Sequence, residues 1–182
     1  GSSLSRVVVA GSDHGGSGEV LPELLFGNPL RTVARDDMAD FMITDSLRFV
    51  SRKEWSPNPA HPRLGQSVSR NNRTHVIIHH TVGPADNDST PTIWEDDDVI
   101  FRAMRRLQVE RPDLGLDVPY NFLAFAQPDH LTICEGRGED RTGAHTKGHN
   151  TRGIAVSFCG NYDTADMDQA LLDIQLNGLS AF

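Results

Sequence analysis

Two adjacent histidines are the first residues of this sequence whose type and position could do chemistry. His79 and His80 follow the apolar run Val76-Ile77-Ile78 and precede Thr81. The run is rich in β-branched residues and bounded by polar ones, so it predicts a buried strand. Loops that follow strands often carry binding groups, and a neutral imidazole at such a place could bind zinc. The alternative is a histidine pair at the edge of the sheet, with one ring packed and the other solvated.

Tyr120 stands at the start of the next predicted strand, residues 120–125, which pairs as a hairpin with residues 131–135. A phenol near a metal can hydrogen-bond a developing oxyanion or a metal-bound water. Most tyrosines in strands are instead core residues with a satisfied hydroxyl. Taken alone, Tyr120 leaves both interpretations open.

Glycine and polar residues dominate the loop at residues 136–150. Glycine lets the backbone approach a ligand closely, and His145, Thr146 and Asn150 supply hydrogen-bond donors and acceptors. The loop lacks the spacing of a phosphate-binding loop. A metal shared by His145 and His149 is disfavoured, because Gly148 argues against a helix between them. The plain alternative is a long surface loop.

The remaining elements predict an α/β fold with helices packed around one sheet. A helix begins at Asp96, Asp97 and Asp98, carries arginines towards its end and is stopped by Pro112 and Gly115. A strand follows at residues 154–158, and Thr164 could cap a last helix. Cys134 and Cys159 fall in or at the ends of strands, where buried, unreactive thiols are expected.

Composition excludes several classes of protein. The chain has 182 residues, 37% of them hydrophobic, enough for one domain or one domain plus an extension. Its net charge of −8 argues against nucleic acid as a partner. No apolar run approaches the roughly 18 residues that a membrane span needs.

The first 47 residues differ in texture from the rest. They begin with what resembles a tag scar, Gly1-Ser2-Ser3, and continue through a glycine-rich linker at residues 11–18. Weak helical patterns follow at residues 22–26 and 33–43. We therefore predict an N-terminal extension over residues 1–47 and the main domain over residues 48–182.

Several blocks occur in order along the chain: Phe49-Val-Ser-Arg-Lys-Glu-Trp55, His75-Val-Ile-Ile-His-His-Thr81, Pro119-Tyr-Asn-Phe-Leu123, Glu135-Gly-Arg-Gly138, Gly143-Ala-His-Thr-Lys-Gly-His-Asn150 and Gly153-Ile-Ala-Val-Ser-Phe-Cys-Gly-Asn161. Together they resemble the zinc-dependent N-acetylmuramoyl-L-alanine amidases of the peptidoglycan-recognition-protein type, a family that includes many bacteriophage endolysins. The resemblance spans about residues 48 to 165. It implies a central mixed β-sheet flanked by helices.

The resemblance also implies a reaction. Such enzymes use zinc-activated water to cut the amide between N-acetylmuramic acid and the L-alanine of the stem peptide. By position, His79 would bind Zn²⁺, with His80 as its non-ligating neighbour, and Tyr120 would support the tetrahedral intermediate. His145, Thr146 and Asn150 would line the substrate groove, while Glu135 and Arg137 would shape the loop.

The sequence departs from the family pattern at its end. The family places two further zinc ligands after another strand, and the corresponding segments would lie beyond Phe182. We therefore expect an amidase-like domain that lacks the last strand and its ligand segments. Because one ligand cannot form a three-ligand site, this chain alone should be inactive and should bind zinc weakly.

The runner-up interpretation is a non-catalytic peptidoglycan-binding or muropeptide-binding module of the same fold. A third is a structural α/β domain of a phage particle or larger assembly. In the leading interpretation the partner is bacterial peptidoglycan, with no nucleic acid or membrane and with further lysin domains on either side. Such a lysin would pass from the host cytoplasm to the cell wall through a holin; a secreted protein is the alternative.

Overall fold

The strand that carries the two histidines lies inside a six-stranded mixed sheet. The computed structural model describes residues 7–9, 45–83, 93–163, 167 and 169–182. The strands are β1 (Val7–Val9), β2 (Leu47–Val50), β3 (His75–His80), β4 (Phe122–Ala126), β5 (Leu131–Glu135) and β6 (Gly153–Phe158), and the helices are α1 (Asp97–Glu110) and α2 (Gln169–Ala181). The linker, the two weak helical patterns and the Thr164 cap predicted above lie outside the described residues.

The sheet has the order β1-β3-β6-β4-β5-β2. Strand β3 pairs in parallel with β1 on one side and with β6 on the other, and β6 pairs in parallel with β4. Strands β4 and β5 form the antiparallel hairpin, and β2 pairs in parallel with β5 at the other edge. The pairing of β3 with β6 places His79 directly beside Ser157.

Helix α1 packs on one face of the sheet. Asp96 caps the helix by accepting a hydrogen bond from the Val99 N–H at 2.9 Å, and Asp97 and Asp98 fill the first turn. Alternate strand residues such as Leu123 and Phe125 contribute to the core on this face. The helix residues in the same core are Ile100, Ala103, Met104 and Leu107.

Helix α2 packs on the opposite face. There the core contains Phe122, Ala124 and Ile133 from the strands and Leu171 from the helix, with Phe182 packed against it. The sheet therefore lies between two helical layers, and its two faces are covered by different helices. Neither described helix is long and apolar enough to cross a membrane.

The predicted α/β fold with a mixed central sheet flanked by helices is confirmed. Helix α1 runs on to Glu110, so its last turn contains no basic residue, in contrast to the predicted charge pattern. The hairpin begins at Phe122 rather than Tyr120, because the Tyr120 and Asn121 carbonyls accept loop hydrogen bonds from the N–H groups of Arg137 and Gly136. Strands β1 and β2 were not predicted from the sequence.

Candidate functional site

Three aromatic rings meet on the α1 face of the sheet. His79, near the end of β3, has its ring centroid 5.5 Å from that of Tyr120, just before β4. The ring of His145, in the loop before β6, lies 5.2 Å from the His79 ring at an angle of 70°. The structure thus brings together three residues that are far apart in the sequence.

A short polar contact joins His79 to the loop. Nε2 of His79 lies 3.2 Å from Nδ1 of His145, and the Thr146 hydroxyl lies 3.3 Å and 3.0 Å from these two nitrogens. Because two neutral imidazoles can share only one proton between these atoms, one ring donates and the other accepts. Nε2 of His145 is buried and has no hydrogen-bond partner among the described residues.

Both histidines are held in the neutral form. Burial, together with the neighbouring His80, lowers the pKa of His79 to about 4. Burial, with the charge of His79 and of Arg73 as smaller causes, lowers the pKa of His145 to about 3. At neutral pH both imidazoles can therefore donate and accept hydrogen bonds, and both have the form that binds metals.

The phenol of Tyr120 stays protonated. Burial is the main cause that raises its pKa, and the nearby Ser157 hydroxyl partly opposes it. The phenol is therefore available as a hydrogen-bond donor beside His79. The main chain fixes its position, because the Tyr120 carbonyl accepts a 3.0 Å hydrogen bond from the Arg137 N–H.

Asn150 closes the loop on itself. Its side-chain oxygen accepts hydrogen bonds from the N–H groups of His145 and Thr146, each at 3.0 Å. These hydrogen bonds place His145 and Thr146 against His79, and they occupy the Asn150 oxygen that was expected to face the substrate. Lys147 and His149 of the same loop are exposed.

The second histidine of the pair points elsewhere. Nδ1 of His80 accepts a hydrogen bond from the Tyr162 N–H at 3.2 Å, and Tyr162 packs against the core beneath α2. Glu135 and Arg137 contact neighbouring loops: Glu135 accepts from the Arg52 N–H, and Arg137 donates to the Val118 carbonyl. Cys134 and Cys159 are buried free thiols whose pKa is raised by burial.

The donor set does not complete a catalytic zinc site. His79 and His145 supply two ring nitrogens, whereas such a site uses three protein ligands and one open position. Within the described ranges no group of three histidine, cysteine, aspartate or glutamate side chains could hold a metal ion. The further ligands expected beyond Phe182 stay a prediction.

Sequence reasoning did not single out two buried polar residues that shape the site. Asn121 donates to the carbonyls of Gly138 and Arg141 and accepts from the Ala155 N–H. Arg73 contacts the same loop from the β3 side. Arg73 stands in the polar stretch Arg70-Asn-Asn-Arg-Thr74, which looks like ordinary surface, so the sequence carries no signal for its burial.

The architecture matches solved structures. Wild-type Drosophila PGRP-LB superposes with a TM-score of 0.57 at 24% identity, covering 72% of this chain and 71% of that one. The ectodomain complex of peptidoglycan recognition proteins LCa and LCx with tracheal cytotoxin gives a TM-score of 0.53 at 27% identity, with 71% of each chain covered. This chain has the peptidoglycan-recognition-protein fold.

Sequence relatives carry peptidoglycan-recognition and amidase names. The chain is 29% identical over 126 residues to peptidoglycan-recognition protein SC2 of Drosophila melanogaster, covering 68% of this chain and 61% of that protein. It is 31% identical over 122 residues to peptidoglycan-recognition protein 2 of Holotrichia diomphalia, covering 63% and 55%. It is 35% identical over 97 residues to human N-acetylmuramoyl-L-alanine amidase, covering 53% and 16%.

These alignments are partial. The chain spans about three fifths of the length of the first relative. No protein-family model matches the chain. The chain is similar in sequence to peptidoglycan-recognition proteins and to amidases, and it shares the fold of the former.

Proposed function

We propose that His79, Tyr120, His145 and Thr146 line a groove in which this domain binds the muramyl-peptide part of bacterial peptidoglycan. The observation that carries the proposal is the meeting of these side chains on one face of the sheet. Neutral imidazoles, a phenol and a hydroxyl suit a ligand of amides and sugar hydroxyls, because each can donate or accept without a charge being buried. The relatives' names and the tracheal cytotoxin complex support the same ligand class.

Isothermal titration calorimetry with a synthetic N-acetylmuramoyl tripeptide tests the proposal. We expect saturable binding with one site per chain. Replacing Thr146 by Val removes the hydroxyl at nearly constant shape and should weaken binding. Replacing Lys147 by Met, on the exposed part of the same loop, is the matched control and should leave the affinity unchanged. Saturable binding that is indifferent to Thr146→Val would place the ligand elsewhere.

A second candidate function is hydrolysis of the amide between N-acetylmuramic acid and L-alanine. It is favoured by a neutral His79 imidazole beside a protonated Tyr120 phenol and by the similarity to the human amidase. Of the residues in this chain, His79 and Tyr120 would orient the scissile amide. Since the described residues do not complete a zinc site, we propose that hydrolysis requires zinc ligands from beyond Phe182.

Mass spectrometry of the muramyl tripeptide after incubation tests the second candidate. We expect no free peptide amine from the 182-residue chain, and hydrolysis by a chain extended past Phe182 that is lost in its His79→Ala version. Elemental analysis is the companion measurement. One tightly held zinc per 182-residue chain would contradict the expectation of weak binding.

A further inference from the structure

The guanidinium of Arg73 is buried between β3 and the loop that leads into β6, residues 136–152. Arg73 is 3% exposed and lies two residues before the strand that carries His79. Its hydrogen bonds go to five main-chain carbonyls, those of Glu139, Arg141, Asn150, Thr151 and Gly153. The charges of Glu139 and Asp140 act on the guanidinium from nearby, but its hydrogen bonds go to main-chain oxygens, so its contacts hold the backbone in place.

The five carbonyls lie at the two ends of the loop. Nε and Nη2 bond Glu139 at 3.1 Å and 2.9 Å, near the start of the loop. Nη1 bonds Asn150 at 2.9 Å and Gly153 at 2.7 Å, where the loop enters β6. Arg73 therefore closes the loop at its base, while the Asn150 side chain orders its tip.

The chemistry needs an arginine. Its planar group carries five N–H donors in a fixed fork, whereas a lysine ammonium has three donors on a flexible stem. A lysine at position 73 could donate to at most three of the five carbonyls. Some carbonyls would be left buried without a donor, and the loop would move to hydrate them.

We propose that Arg73 is a positioning residue of the groove, whose guanidinium holds the loop so that His145 and Thr146 face His79. The inference deepens the proposed function and rests on it for the ligand. Its geometric content, the placement of His145 against His79, can be tested without any ligand.

The experiment compares Arg73→Lys with Arg152→Lys, a matched change at an exposed arginine of the same loop. Nitrogen-15 NMR of the imidazoles reports the contact between His79 and His145. Amide hydrogen exchange reports the loop, and titration with the muramyl tripeptide reports the groove. We expect Arg73→Lys to shift both imidazoles and to speed exchange at His145 and Thr146 at least about tenfold.

In the same variant the muramyl tripeptide should bind about tenfold more weakly, whereas Arg152→Lys should match the wild type in all three measurements. Exchange that speeds up equally in β4 and β5 would show that Arg73 acts on overall stability, and would overturn the proposal. Unchanged imidazoles or unchanged affinity in a folded Arg73→Lys protein would also overturn it.

Chemical rescue covers the case in which Arg73→Lys does not fold well. Arg73→Ala leaves a cavity that free guanidinium can enter, so low concentrations of guanidinium should restore the imidazole spectrum, whereas equal concentrations of urea should not. Rescue by neither additive would overturn the proposal. If the wild-type chain does not bind the muramyl tripeptide, the proposed function fails, and the imidazole and exchange data still decide the role of Arg73.

Discussion

Gly143 and His145 share one small space beside the groove. A Cβ added to Gly143 would lie 2.3 Å from Cδ2 of His145 and 2.9 Å from its Nε2. Gly143→Ala should therefore push the His145 ring away from His79, destabilise the fold by about 1–3 kcal/mol and weaken muramyl-peptide binding. Urea unfolding and calorimetric titration measure the two effects.

Gly148→Ala provides the contrast within the same loop. Its Cβ would meet nothing within 4 Å, although its φ of +83° makes any side chain strained. It should cost about 1–2 kcal/mol of stability and leave the affinity unchanged. Equal losses of affinity in the two variants would contradict a steric role for Gly143.

Stability should fall in mild acid because of the two buried imidazoles. Their pKa values are lowered from 6.5 to about 4 at His79 and about 3 at His145. The unfolded chain therefore binds more protons than the folded one below pH about 6.5. The free energy of unfolding is therefore at its full value above that pH and decreases as the pH falls towards 4. The decrease is less than about 1.4 kcal/mol per pH unit for each ring, since both rings keep some solvent contact.

Urea unfolding of the metal-free protein between pH 7.5 and 4.5 measures this dependence. The double variant His79→Gln, His145→Gln should lose part of the acid sensitivity. His149→Gln, at an exposed ring whose charge is the smallest cause that lowers the pKa of His145, should keep most of it. A double variant with the wild-type slope would show that other groups cause the loss.

Asp117 should be a large contributor to stability on the Tyr120 side of the groove. It is 1% exposed, accepts from Arg52 at 2.7 Å and from two backbone N–H groups, and lies 3.6 Å from the Arg137 guanidinium. Asp117→Asn should cost about 3–5 kcal/mol because it leaves the buried Arg137 without its counter-charge. Chemical denaturation measures the cost. Asp113→Asn, in an exposed pair with Arg111, should change nothing measurable.

Replacing Gly178 by alanine should destabilise the protein, although the same change stabilises most helices. Glycine to alanine normally stabilises a helix by up to about 1 kcal/mol. At Gly178, however, the new Cβ would lie 2.2 Å from Cβ of Leu131 in β5. Gly178→Ala should therefore destabilise by about 1–3 kcal/mol as α2 lifts from the sheet.

Asn177→Ala, on the exposed side of the same helix, serves as the control. It should be neutral or slightly stabilising, because alanine has the higher helix propensity. Thermal unfolding separates the two variants. A Gly178→Ala protein that melts at a higher temperature than the wild type would contradict close packing of α2 on β5.

Helices and strands with a clear pattern of apolar residues were predictable from the sequence. The strand at Val76–Ile78, the helix after Asp96 and the hairpin around Pro128 all form, because local propensity and burial agree there. The helix and the hairpin differ from their predictions only at their ends. Strand β1, only Val7–Val9, lacked flanking cues. It takes its place by pairing with β3, which is a tertiary effect.

The site was predictable in its residue types and unpredictable in its connections. His79, Tyr120, His145 and Thr146 do meet, whereas the direct contact between the two imidazoles depends on the path of the loop. That path is set by Arg73 and Asn121, whose partners are main-chain atoms. Every residue has a main-chain carbonyl, so the pattern of side chains in the sequence does not predict such contacts.

The way in which the loop is anchored allows some of its side chains to be exchanged. Arg73 and Asn121 bond only its backbone, so the anchor does not depend on which side chains the loop carries. The exposed residues Lys147 and His149 can therefore be replaced without a change in the backbone path of the loop. Support of the loop and contact with the ligand are therefore assigned to different residues, and a library randomised at these two positions should yield folded proteins that still bind the muramyl tripeptide.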